Sequence, residues 1–231
     1  IIEVKIMDKL LTVVIPSYNV EKFLNQTLDS FVCDEAAMKK FEVIVVDDGS
    51  KDNTAKIGKE YADKYPDTFR VISKENGGHG STINCGIRNA VGKYFKVVDG
   101  DDWVNTADFV KLVEDLEKTE SEYVFTNYYE YYDDVNRQKA VDFPQFKDGT
   151  EYDFADVANK VYIPMHALVI KTSVLKDNNI VIDEKCFYVD VEYVMFPVPF
   201  VNKVTFFDLH VYMYRLALST QSVSILGFQK H

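Results

Sequence analysis

Cysteine is scarce. Cys33, Cys85 and Cys186 are the only three in 231 residues. Their odd number and wide spacing exclude a disulfide framework and a Cys-x-x-Cys metal knuckle. They read as small core residues of a protein in a reducing compartment. Basic side chains are also short, 26 Lys and Arg against 37 Asp and Glu, for a net charge of -11. Binding a nucleic-acid backbone takes clustered Lys and Arg, so no nucleic-acid partner is expected. A single nucleotide stays open, because a bound divalent cation can offset its charge. No apolar run reaches the roughly twenty residues that span a bilayer, so no transmembrane segment is expected. Ile1 to Ile6, ahead of Met7, read as a remnant without signal-peptide character. At the other end Ser222 to His231 reads as a helix that stops short, and the natural chain is expected to continue past it.

Apolar residues are plentiful. With 47% hydrophobic and 14% aromatic residues, one large α/β domain can bury a substantial core. Leu11–Pro16, Val43–Val46, Phe69–Ser73 and Tyr94–Val98 read as strands. Helices are expected between them: over Val20, Phe23, Leu24, Leu28 and Phe31; through Ala55, Ile57 and Tyr61, capped by Ser50, Asp52 or Asn53; and through Ile83, Ile87 and Ala90. Strands alternating with helices over short links predict a parallel, doubly wound sheet. Beyond Trp103 the rhythm changes. A helix near Ala107–Leu116, strands at Tyr123–Asn127 and Ala167–Ile170, a helix near Asp190–Phe200, and short strands near Val204–Phe207 and His210–Tyr214 are expected. The run Tyr128–Tyr132 reads as an aromatic edge strand or a stacking face for a sugar, followed by a polar stretch to Thr150.

Two apolar runs end abruptly in carboxylates: Val45-Val46-Asp47-Asp48-Gly49-Ser50 and Val97-Val98-Asp99-Gly100-Asp101-Asp102. In open α/β sheets ligands bind beyond such carboxyl ends. Asp99 and Asp101, two apart on a fraying strand, leave the same face and can approach one cation, with Asp102 bending in or capping the next helix. Asp47 or Asp48 suits a base or ribose edge; an Asp-Asp-Gly-Ser turn that caps a helix is compatible with that. Gly77-Gly78-His79-Gly80-Ser81 precedes a helix start and offers amides to an anion, or is a plain turn. Asp190 and Glu192 lie among Phe187, Tyr188, Val189 and Tyr193, surroundings that favour a general base; the alternative is a helix cap with an acid in its first turn. Arg215 suits either a phosphate contact or a surface ion pair.

In order, Val14-Ile15-Pro16-Ser17-Tyr18-Asn19, Val45–Ser50, Asn76-Gly77-Gly78, Asp99–Asp102, Tyr188-Val189-Asp190 and Tyr214-Arg215 resemble the family 2 glycosyltransferases of the GT-A fold. The resemblance runs from about residue 11 to about residue 225, and its ordered combination is specific where no single piece is. It implies an α/β fold with a mostly parallel, Rossmann-like sheet flanked by helices and an α+β acceptor-side half. Residues 7–103 would form the nucleotide-sugar half and 104–231 the acceptor half. Pro16, Ser17, Tyr18, Gly78, His79 and Arg215 would line the nucleotide site, and Asp48 would meet the uracil edge. Asp99, Asp101 and Asp102 would serve ribose and a divalent cation, Mn²⁺ or Mg²⁺. Asp190 would be the catalytic base of an inverting transfer. Val189 stands where the family usually has Glu, and Ile83-Asn84 where many members have Arg-Asn, which weakens the case for diphosphate contacts there.

The implied partners are a nucleotide-sugar donor, a UDP-sugar by family habit, and a carbohydrate or glycolipid acceptor in surface polysaccharide or glycoconjugate synthesis. The expected setting is cytoplasmic, with peripheral association at the inner face of the membrane. A sugar-nucleotide pyrophosphorylase is the rival enzyme, but it would carry a glycine-rich loop where Pro16-Ser17-Tyr18-Asn19 stands. A non-catalytic carbohydrate- or nucleotide-binding module is the rival of another class, and the retained Asp99, Asp101 and Asp190 speak against it.

Overall fold

The computed structural model describes residues 9–217; the N-terminal segment with Met7 and the C-terminal helix expected at Ser222–His231 lie outside them. Four strands come first: β1 (Leu11–Ser17), β2 (Phe41–Asp47), β3 (Phe69–Ser73) and β4 (Tyr94–Val97). Every residue of β1, β2 and β4 is buried, which is why each reads as a nearly continuous apolar run. They lie parallel in the order β3-β2-β1-β4. The chain first adds strands on one side of β1 and then returns to the other, so a switch point opens between β1 and β4.

The helices of this half are α1 (Leu24–Asp29), α2 (Glu35–Met38), α3 (Thr54–Lys64) and α4 (His79–Asn89). Alternate strand residues feed two cores on opposite faces of the sheet. Val14, Ile44, Val46, Phe95 and Val97 pack with Ile83 and Ile87 of α4. Val13, Ile15, Val43 and Val45 pack with Leu24 and Leu28 of α1 on the other side. The helix expected from Val20 is shorter: a turn closed by Phe23 N and Leu24 N on Val20 O (2.9 and 3.0 Å) leads into it, and the helix itself runs only from Leu24 to Asp29.

The second half extends the same sheet. Its strands are β5 (Trp103–Val104), β6 (Tyr123–Tyr132), β7 (Arg137–Val141), β8 (Thr150–Asp153), β9 (Leu168–Lys171) and β10 (Lys203–Leu216), with helices α5 (Thr106–Asp115), α6 (Phe154–Ala158), α7 (Thr172–Asp177) and α8 (Val189–Met195). β9 is antiparallel to both β4 and β6, and β10 runs parallel to β6. The longest ladders are parallel, so by paired length the sheet is mostly parallel, with helices on both faces. Three expectations change here. Tyr128–Tyr132 are no edge, since β10 flanks them on one side and β7, part of the supposed polar stretch, on the other. The two short C-terminal strands are one, β10, whose register shifts near Phe207, His210 and Tyr212 break its pattern. The helix expected to Phe200 ends at Met195, where Pro197 leads into a 3₁₀ turn. Among the described residues no helix is long and apolar enough to cross a membrane, and all three cysteines are free.

Candidate functional site

The carboxyl ends of β1, β2 and β4 converge on one loop cluster. Asp48 N donates to Ser17 O (2.9 Å), and Gly100 N donates to Pro16 O (3.1 Å). Gly100 is required there: a Cβ would meet Pro16 O at 2.9 Å and Ser17 Oγ at 3.0 Å. Pro16 and Ser17 are buried behind the cluster, whereas Tyr18 is 51% exposed at its rim.

Asp48 organises the glycine turn. Its carboxylate accepts Gly77 N (2.9 Å), Gly78 N (2.8 Å) and Lys74 Nζ (2.8 Å), all buried or nearly so. Gly78 takes φ +85°, a conformation that favours glycine. The two amides that the sequence pattern offers to an anion are thus already donated to a carboxylate, and no sequence signal marks Lys74 as the counter-charge.

His79, the first residue of α4, bonds Asp99 Oδ1 through Nε2 at 2.7 Å. Burial alone would raise the Asp99 carboxyl, but the charge and hydrogen bond of His79, with His166 beyond, hold it below its ordinary value. The effect on His79 mirrors this. Burial disfavours the imidazolium, yet Asp99, then Asp190 and Asp101, lift its pKa. Asp101 differs. No side chain hydrogen-bonds its carboxylate among the described residues, and burial followed by the Asp99 charge pushes it up to about 6.

Asp102 is buried, with both oxygens taken: Arg215 N donates to Oδ1 (2.7 Å) and Tyr212 Oη to Oδ2 (2.5 Å). Burial, and then the charges of Asp101 and Asp99, raise its pKa. Arg215 is no surface residue. Its Nε donates to Asp101 O (2.8 Å), one terminal nitrogen to Gln26 Oε1 (2.6 Å) and the other to Asp133. The guanidinium also lies over Trp103, 4.6 Å from its ring centre. Thr27 Oγ1 completes the grip, donating to Asp102 O (2.6 Å) and Gly100 O (3.0 Å). The acidic loop is therefore clamped between α1 and β10.

Asp190 sits in the first turn of α8, after Tyr188 in left-handed geometry (φ 61°). Val189, not Asp190, opens the helix, and Glu192 accepts Asp183 N at 2.8 Å. Burial raises the Tyr214 hydroxyl pKa most, and the charges of Asp102, Asp99, Asp101 and Asp190 add to it in that order, so acids of both halves are near enough to act on one hydroxyl. The Tyr214 ring stacks on His166 at 3.9 Å between centroids. Tyr212 and His166 are candidate site residues that the sequence does not mark, and Tyr214 stands out there only as the neighbour of Arg215 in the family resemblance. Lys96 is a further surprise. A wholly buried ammonium in β4, it donates to the carbonyls of His166 (2.8 Å) and Leu168 (3.2 Å), and burial pulls its pKa down to about 7.

The donor set suits a hard divalent ion. Among the described residues no three His, Cys, Asp or Glu side chains form a ready-made metal cage. Asp101 and Asp99 offer two carboxylates at an open loop, matching the habit of Mg²⁺ and Mn²⁺ of taking one or two protein carboxylates plus substrate phosphates.

The family model described as glycosyl transferase family 2 matches residues 12–178. The chain is 37% identical over 123 residues to the uncharacterized glycosyltransferase EpsJ of Bacillus subtilis, covering 53% of this chain and 35% of that protein. It is 33% identical over 111 residues to the minor teichoic acid biosynthesis protein GgaB of the same organism, 48% of this chain and 12% of that one. The chain thus spans about a third or less of the length of these relatives. Residues 1–349 of S. aureus TarS, solved in complex with UDP-GlcNAc, share the fold at a TM-score of 0.75 and 24% identity, over 90% of this chain and 59% of that one.

Proposed function

The chain belongs to glycosyl transferase family 2, and from that premise we propose that it is an inverting glycosyltransferase that moves a sugar from a UDP-sugar to an acceptor hydroxyl. One observation carries the reading: α4 meets the acidic loop through His79 and Asp99 (2.7 Å), and its Gly80 lies against the carbonyl of Asp183, in the segment that leads to Asp190. Acids for a metal and an acid for a proton then flank one space. The nucleotide lies along Pro16, Ser17, Tyr18, Asp48, Gly78 and His79, in the half formed by residues 7–103, with the acceptor on the 104–231 side. The UDP-GlcNAc bound by the similarly folded TarS supports the donor class.

Asp101 and Asp99 would hold a divalent cation, which would supply Lewis acidity toward the diphosphate. Asp190 accepts the proton of the acceptor hydroxyl as that oxygen bonds to the anomeric carbon. The carbon–oxygen bond to the diphosphate breaks on the opposite side, and UDP leaves with the electron pair. Asp102 and Arg215, whose polar atoms the fold engages, shape the loop rather than touch the ligand. The acceptor is a carbohydrate or glycolipid of surface polysaccharide synthesis, a reading that the teichoic acid relative supports. The free thiols suit a reducing cytoplasm, with peripheral contact at the membrane.

The test is Asp190→Asn, assayed by UDP released from a panel of UDP-hexoses and by UDP titration with Mn²⁺. Release is expected to fall by about 10²-fold or more, with the UDP Kd within twofold. Near-normal release would overturn the assignment.

A further inference from the structure

The helix that steadies Asp99 also steadies the segment that delivers Asp190. Asn84 lies in α4, one and a half turns beyond His79, and is only 3% exposed. Its Nδ2 donates to Ile182 O at 2.8 Å, and its Oδ1 accepts Ile182 N at 2.9 Å. This reciprocal pair imitates a step of antiparallel sheet, fixing residue 182 in both position and orientation. The same Nδ2 reaches Glu184 Oε1 at 3.4 Å. Nearby, Lys185 N donates to Gly77 O at 3.0 Å. A Cβ on Gly80 would run into the carbonyl of Asp183, so the segment lies directly on the helix backbone.

From there the link to α8 is short. Asp183 N donates to Glu192 Oε2, which ties the anchored segment to the helix that carries Asp190. The intervening loop runs from buried Ile182 to buried Val189. It contains no regular structure between Ile182 and Val189 and passes through Lys185 (φ 55°) and Tyr188 (φ 61°), geometries that side-chain-bearing residues seldom adopt.

We propose that Asn84 is a positioning residue for the transfer reaction, holding the Ile182–Glu192 segment so that Asp190 faces the acidic loop. α4 acts as a bar between the two sides, with His79 on Asp99 at one end and Asn84 on Ile182 further along. The proposal rests on the reading of Asp190 as the base. Asn84 itself touches no substrate; it sets where the proton acceptor stands, and misplacement of about 1 Å is enough to slow a reaction 10²-fold.

Asn84→Leu removes both bonds to Ile182 at similar volume. Gly80→Ala disturbs the same contact from the helix side while leaving Asn84 in place. Both are compared with the unaltered full chain. For each variant, hydrogen exchange is followed in residues 182–192 and 99–102, with UDP release from the UDP-hexose panel and the UDP Kd with Mn²⁺. Expected are faster exchange in 182–192 alone, UDP release lowered at least tenfold, and a UDP Kd within twofold. A normal release rate despite faster exchange would overturn the proposal, as would a UDP affinity that falls in step with the rate. Should Asn84→Leu fail to fold, Gly80→Ala separates the same outcomes. Near-normal release by Asp190→Asn sinks the base assignment; normal release by Asn84→Leu beside an inactive Asp190→Asn sinks only the positioning role.

Discussion

Replacing Asp101 by asparagine is expected to stabilise the ligand-free protein at neutral pH. The carboxyl is pushed up to about 6, first by burial and then by the Asp99 charge. The ordinary value of 3.8 stands for the unfolded chain, so between about pH 4 and pH 6 the native state binds more protons. Stability therefore falls as pH rises through that window, and the penalty is complete above pH 6. A rise of roughly two units, at about 1.4 kcal/mol per unit, is worth about 3 kcal/mol, or about 2 after allowing for partial exposure of the loop. For a chain of this size each kcal/mol moves Tm by about 2–4 °C, so Asp101→Asn should melt roughly 4–8 °C higher at pH 8 in EDTA. The asparagine keeps the shape of the side chain while the charge is gone. Differential scanning calorimetry at pH 8, 6 and 4.5 reads the difference, which should shrink toward pH 4.5. Adding Mn²⁺ and UDP at about 100 times Kd should stabilise the unaltered protein alone, by about 2.7 kcal/mol, and close or reverse the gap. No gain at pH 8 in EDTA, or an equal gain at pH 4.5, would refute the claim that this acid is held in an unfavourable charged state for its ligand.

Arg215→Ala removes the donors to Asp101 O and Gln26 and strips Asp133 of its partner. It should cost about 3 kcal/mol or more and weaken UDP binding, since the acidic loop loses its clamp. Arg215→Lys should not rescue it, because one ammonium cannot serve a three-way fork. A urea midpoint unchanged in the alanine variant would show that the loop holds itself. Lys96 gives a pH signature of its own. Its pKa is pulled from 10.5 to about 7, so above pH 7 the unfolded chain binds the extra proton and stability climbs with pH toward 10.5. Lys96→Met should flatten that climb by up to about 1.4 kcal/mol per pH unit; equal stability slopes for the two proteins between pH 7 and 9 would contradict it.

β1, β2 and β4 were legible because a strand buried on both faces must be apolar throughout, and each run stops at the residues that open the site. Asp99 and Asp101 were legible for the same reason, as carboxylates at a strand end. β10 was legible only as two short pieces, because its register shifts interrupt the alternation on which strand reading depends. His166 was not legible: its flanking sequence carries no motif and its place is set by stacking on Tyr214.

What the sequence by itself determined is the first half-sheet, the family and the place of Asp99 and Asp101 just past the end of β4; each is written in local runs and fixed spacings. The tertiary structure alone decided which polar groups meet. Asn84 finds Ile182 98 positions away, and Arg215 finds Gln26 189 positions away. Periodicity records which face a residue buries, but the partner of a buried polar group is chosen by the order in which strands join the sheet, and that order is a property of the whole chain.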